Sequence, residues 1–270
     1  ADPGGNTAAG ETYVVFGKSS GTPLELANVA MDDDATGFAI FGGAAGDRSG
    51  VSVSIVGDMN QDGLDDLVVG APYANTIDGA AYVVFGKAGG ASVQLSDVAM
   101  DANNNGFAIF TDADNVRAGY SVSGAGDVDG DGRVDVIVGA KFEDYAAGKS
   151  YVIFGRTTGT SVNASALADE NNTTGFAIHG ANSTDQSGFS VSGAGDVNGD
   201  GLTDLIVGAK FASTTEMYCG KSYVVFGKSG GAPVNLSDVE LSGNAAGIAL
   251  IGVAAALELA DVRAGDEGLL

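Results

Sequence analysis

Residues 127–135 read DVDGDGRVD. Asp127, Asp129, Asp131 and Asp135 place carboxylates at positions 1, 3, 5 and 9 of a tight loop, and Gly130 and Gly132 let the backbone turn where a β-carbon would resist. Carboxylates packed this closely repel one another unless a cation sits between them. Hard oxygen ligands at this spacing suit Ca²⁺, which takes six to eight oxygens at roughly 2.3–2.6 Å. The backbone carbonyl at position 7, Arg133, supplies a further ligand.

The loop occurs three times. Asp58, Asn60, Asp62, Leu64 (through its carbonyl) and Asp66 make the first copy; Asp196, Asn198, Asp200, Leu202 (again through its carbonyl) and Asp204 make the third. The copies start at 58, 127 and 196, always 69 residues apart. About three Ca²⁺ ions are therefore expected. An EF-hand would need a Glu at position 12 and a helix after it. Position 12 is Val69, Val138 and Val207, and the runs that follow are DLVVGA, DVIVGA and DLIVGA. These β-branched runs predict buried strands, so each loop is a hairpin between two strands. The alternative is an Asp/Gly-rich turn that binds nothing, since both residues favour turns.

The repeat extends beyond the loop. YVVFGK at 13–18 returns at 82–87, at 151–156 as YVIFGR, and at 223–228; GFAIFG at 37–42 returns as GFAIFT at 106–111, GFAIHG at 175–180 and GIALIG at 247–252. Each unit predicts four short strands: a small-residue strand such as GYSVSG, the ion loop, a second apolar strand, a third aromatic one, and a fourth after a long connection. Short strands at a fixed long period indicate an all-β propeller of four-stranded antiparallel blades. Small Ser and Gly residues suit a crowded inner strand. The expected layout is a lead-in over 1–12, a two-stranded partial blade over 13–42, blades over 50–111, 119–180 and 188–252, and a degenerate tail over 253–270. About three and a half blades are visible.

The bulk composition excludes some partners. A formal net charge of −23 and a pI near 4.1 argue against nucleic acid, which needs a basic surface, and against anionic lipid. No apolar run is long enough to span a membrane. One cysteine, Cys219, excludes an intrachain disulfide framework. Ca²⁺ loops of ordinary affinity fill outside the cell, so the expected location is extracellular or cell-surface.

Other residues carry less. His179, the single histidine, stands where Phe41 and Phe110 stand in sister repeats and is expected in a core or half-buried slot; it has no partner set for acid–base work. Asp65 beside Asp66 is not a catalytic pair, because Asp66 belongs to the loop. The run Asp32, Asp33, Asp34 reads as a solvated connection. No catalytic set is visible, so the chain is not read as an enzyme.

The segments SGVSVSIVGDMNQDGLDDLVVGAP, AGYSVSGAGDVDGDGRVDVIVGAK and SGFSVSGAGDVNGDGLTDLIVGAK resemble the FG-GAP repeat of integrin α-subunit β-propellers and their bacterial relatives. "GAP" is intact at Gly70, Ala71, Pro72 and becomes GAK at 139–141 and 208–210; the FG pair survives only in reversed order at Gly188, Phe189. The resemblance covers roughly 13–252. It implies calcium in the hairpins of a lower face and an adhesive or ligand-binding upper face, whose loops would be 43–49, 72–79, 111–118, 141–148, 181–187 and 210–220. The partner expected there is a protein or a glycan. The longest loop, 210–220, with Met217, Tyr218 and Cys219, either sets the binding preference or is a tolerated insertion. Seven repeats usually close a ring in this family, so the chain reads as a piece of a larger propeller, or as a small ring closed by its tail. The rival reading is an accessory or structural propeller of a larger secreted enzyme acting on polysaccharide or phospholipid.

Overall fold

The computed structural model describes residues 7–19, 21, 23–29, 36–100, 105–213, 219–241 and 245–251. Four sheets follow one another along the chain. The lead sheet holds Glu11–Val15 and Gly37–Phe41. Blade 1 holds Ser52–Gly57, Asp66–Ala71, Ala80–Val84 and Gly106–Phe110; blade 2 holds Ser121–Gly126, Asp135–Ala140, Lys149–Ile153 and Gly175–His179; blade 3 holds Ser187–Gly195, Asp204–Ala209, Lys221–Val225 and Gly247–Ile251. Successive strands within a blade pair antiparallel. This is the four-stranded blade of a β-propeller. Among the described residues no helix is long and apolar enough to cross a membrane.

Period two explains why the second and third strands are apolar throughout. Alternate side chains of one strand point to opposite faces of its sheet, and in a stack of blades both faces are covered. Val68 and Val83 of blade 1 pack in the core shared with Val136, Val138 and Ile153 of blade 2. Their neighbours Val69 and Val84 pack in the core shared with Phe38 and Ile40 of the lead sheet. Ile137 and Val152 turn the other way, toward Val207, Tyr223 and Val225 of blade 3. All six residues of Asp135–Ala140 are buried.

First strands obey a different rule, because adjacent blades crowd together along them. Ser52 Oγ accepts a hydrogen bond from Val122 N, and Ser121 Oγ donates to Gly188 O. A β-carbon on Gly139 would stand 2.2 Å from Gly188 O, and one on Gly70 would stand 2.0 Å from Gly119 O. The GA[PK] glycine is therefore the point where the next blade's backbone rests on the second strand.

The structure adds a strand the sequence reading lacks. Val93–Gln94 pairs parallel with Gly37–Phe41, Val162–Asn163 with Gly106–Phe110, and Val234–Asn235 with Gly175–His179. Each comes from the connection between the third and fourth strands of the following blade. Two residues are too short for a propensity signal, yet they stitch every blade to its neighbour. Just beyond them Leu95, Leu167 and Leu236 are fully buried in short helical turns. Asp32, Asp33, Asp34, Met217, Tyr218 and the tail from 252 on lie outside the described residues.

Candidate metal loops

The ninth loop position does two jobs at once. Asp66, Asp135 and Asp204 are each 0 % exposed. Asp135 Oδ2 accepts the Val128 N–H at 2.7 Å and Oδ1 accepts the Gly155 N–H at 2.8 Å. Asp66 takes Met59 N and Gly86 N in the same way, at 2.9 and 2.8 Å, and Asp204 takes Val197 N and Gly227 N at 2.8 and 2.9 Å. The carboxylate thus ties the loop to the end of the third strand of its own blade. Burial pushes the Asp135 carboxyl up to about 7 and that of Asp66 up to about 6, against the N–H bonds that favour the anion. The sequence reading took this residue for a ligand and missed its anchoring role; the glycine of each YVVFGK-type segment after the third strand (Gly86, Gly155, Gly227) was the available signal.

The other loop positions fold through their own side chains. Asp127 accepts Gly130 N and Gly132 N at 2.7 and 3.0 Å, Asp129 accepts Asp131 N at 3.0 Å, and Asp131 accepts Arg133 N at 2.8 Å. Asp58 and Asp196 close their loops likewise on Gly63 N and Gly201 N. Asp62 and Asp200 accept Leu64 N and Leu202 N, both at 2.9 Å. Position 4 lies in the left-handed region in every copy, at φ +82° for Gly130, +80° for Gly199 and +63° for Gln61.

The three copies then diverge. In blade 2 the carboxylate oxygens of Asp127, Asp129 and Asp135 come within 4.8 Å of one another. Asp131 stands outside that group, its Oδ2 paired with the Arg133 guanidinium at 2.8 Å. Burial, reinforced by the charges of Asp131 and Asp127, raises the Asp129 carboxyl above the usual range. In blades 1 and 3 the third position is an amide. Asn60 Nδ2 donates to Asp62 Oδ2 at 2.9 Å, and Asn198 Nδ2 donates to Asp200 Oδ2 at 2.8 Å. Three carboxylates whose oxygens lie within 4.8 Å of one another are a donor set that suits a hard divalent cation such as calcium by oxygen type.

The remaining candidates resolve into structural ties. His179 is half-buried on the fourth strand of blade 2, with Nδ1 3.9 Å from Asp144 Oδ2; burial and then Lys149 lower its pKa. Beside it is a group the sequence reading did not single out. Lys149 Nζ pairs with Glu143 Oε1 at 2.9 Å and Asp144 Oδ2 at 3.0 Å, and Tyr151 donates to Glu143 Oε2. In blade 3 Lys221 and Tyr223 pair likewise with a glutamate, but with Glu240, which comes from after the third strand instead of before it. The signal was Lys149 and Lys221 at one repeat position, two residues before a tyrosine. Asp65 is exposed beside the buried Asp66. Cys219 is a thiol of intermediate exposure.

Comparison with known proteins agrees with this geometry. The FG-GAP repeat model matches residues 49–84, 118–153 and 187–225, each spanning a first strand, an ion loop, and second and third strands. Integrin α-5 of Xenopus laevis is 32% identical over 215 residues, which is 75% of this chain and 19% of that protein. Integrin α pat-2 of Caenorhabditis elegans is 37% identical over 105 residues, 38% of this chain and 8% of that protein. Integrin α-7 of Mus musculus is 37% identical over 91 residues, 34% of this chain and 7% of that protein. The chain spans less than a fifth of the length of these curated relatives. Its blades 1 to 3 are FG-GAP repeats, and the chain is an integrin-type FG-GAP β-propeller.

Proposed function

We propose that the chain is a calcium-binding β-propeller module that acts outside the cell or at its surface in adhesion or ligand binding, and that it is not itself an enzyme. The observation that carries the metal reading is the convergence of Asp127, Asp129 and Asp135. In blade 2 the ion would be held by these three, with Asp131 and the Arg133 carbonyl completing the loop. In blades 1 and 3 it would be held by Asp58, Asn60, Asp62, the Leu64 carbonyl and Asp66, and by Asp196, Asn198, Asp200, the Leu202 carbonyl and Asp204. Calcium would supply positive charge where the fold gathers negative charge. The chain's own residues do the rest. Asp66, Asp135 and Asp204 hold the hairpin against the third strand, and the paired first and second strands carry the loops at the opposite end of each blade.

The adhesion reading rests on the FG-GAP repeats and their integrin α relatives, and the location on the calcium economy of such loops. Equilibrium dialysis of the chain and of Asp129→Ala tests the metal reading. The expected counts are about three ions and about two. Equal counts would remove Asp129 from the ligand set.

A further inference from the structure

Four cations stand together at the blade end opposite the ion loops. Arg48 and Arg117 lie in the segments that enter the first strands of blades 1 and 2; Lys141 and Lys210 directly follow the second strands of blades 2 and 3. They are threaded on aromatic rings. The guanidinium carbons of Arg48 and Arg117 lie 4.3 and 4.9 Å from the Tyr73 centroid. Phe142 is shared by Arg117 at 4.8 Å and Lys141 at 5.0 Å, and Phe189 by Lys141 and Lys210, each at 4.6 Å. A shared ring keeps each successive pair of charges within two such lengths. The result is a file of four positive charges across three blades.

Cation–π contacts explain where each cation sits but not why no carboxylate joins them. The chain has 35 acidic residues and 12 Lys and Arg. Lys149 and Lys221 are each paired with a carboxylate, yet among the described residues none of these four makes an ion pair. The three buried acids of the neighbouring loops are engaged elsewhere, Asp47 with Ala44 N, Glu143 with Lys149 and Tyr151, and Asp185 with the Asn182 amide. Lys141 is only 5 % exposed. Burial, and then the charges of Arg117 and Lys210, push its pKa down to about 8. Like charges gathered without a counter-charge, one of them withdrawn from water, are stabilised by an anion that arrives from outside.

We propose that this face binds an acidic polypeptide segment whose Asp or Glu carboxylates seat on Arg48, Arg117 and Lys210, with the buried Lys141 adding its charge between them. The proposal rests on the reading of this end as the ligand-binding face and names the chemistry it takes. Guanidinium forks match planar carboxylates. Tyr73, Phe142 and Phe189 carry two cations each, and Tyr120 carries Lys141 at 3.1 Å, so the rings of the file serve to place charge, and the chemistry they present is carboxylate recognition.

The test is fluorescence anisotropy of a short labelled peptide alternating Glu and Ser, with calcium in excess over its carboxylates. The expected result is saturable binding that weakens as salt is raised. Arg48→Ala with Lys210→Ala, both exposed positions, should weaken it about tenfold or more. Lys228→Ala, a cation seated 4.3 Å over Phe176 at the ion-loop end, should leave it unchanged. If the double variant melts early, Arg48→Lys with Lys210→Arg should retain binding. No saturable binding, equal binding by the double variant, or capture of a sulfated oligosaccharide in place of the peptide would overturn the proposal. Bound calcium counted on the same samples separates the two readings. Ions without peptide sink this proposal alone, and peptide without ions sinks the calcium reading alone.

Discussion

At the third position of the ion loop blade 2 carries Asp129, while blades 1 and 3 carry Asn60 and Asn198. The amide of each Asn reaches across its loop to the fifth-position Asp, so these loops supply their own positive hydrogen-bond end. Asp129 has nothing to donate. Its oxygens converge instead with those of Asp127 and Asp135, and Arg133 takes up Asp131. One backbone frame thus carries two arrangements: the flanking loops close on an internal amide, and the middle loop gathers three carboxylates with no donor among their side chains. The middle loop should bind calcium most tightly and suffer most without it.

Position 9 is where the comparison should vanish. Asp135→Ala leaves two backbone N–H groups without their acceptor, and Asp66→Ala and Asp204→Ala three each; each should cost about 3 kcal/mol. Urea unfolding in chelator checks this, because the loss must appear without any ion. A loss seen only with calcium would reduce these residues to ligands.

The third position should separate the loops. Asp129→Asn makes the middle loop resemble its neighbours. It should weaken calcium there about tenfold, roughly 1.4 kcal/mol, while leaving the chelated protein as stable as before or more so. Asn198→Asp should do the reverse in blade 3. Calcium titrations with melting curves in chelator read both effects; equal responses at the two positions would break the comparison. The smallest effect belongs to Arg133→Ala. Its guanidinium and Asp131 are both about a third exposed, so freeing Asp131 should strengthen middle-loop binding only a few-fold, under about 1 kcal/mol. A weakened site would show that the guanidinium positions Asp131 rather than competing for it.

Much of this was legible in the sequence because it repeats. The period of 69, the DxDxDG spacing and the apolar runs DLVVGA, DVIVGA and DLIVGA each carry a local rule, and three copies confirm one another. Val93–Gln94, Val162–Asn163 and Val234–Asn235 were not legible, since two residues pairing with a neighbouring blade leave no periodicity. The anchoring by Asp135 was hidden because its partner, Gly155 N, lies 20 residues away and offers only a backbone group. The file from Arg48 to Lys210 was hidden for a similar reason. Arg117 and Lys141 are remote in sequence and meet only through Phe142.

The proposed function has three loops bind calcium, and calcium fix the blades. Its most direct test is calorimetric titration of Ca²⁺ into chelator-treated protein, with the melting temperature followed at each step. About three ions, the first entering the loop of Asp127, Asp129 and Asp135, with a clear rise in melting temperature, is the predicted result. No heat of binding at about millimolar calcium, with an unchanged melting temperature, would mean that these aspartates only shape turns.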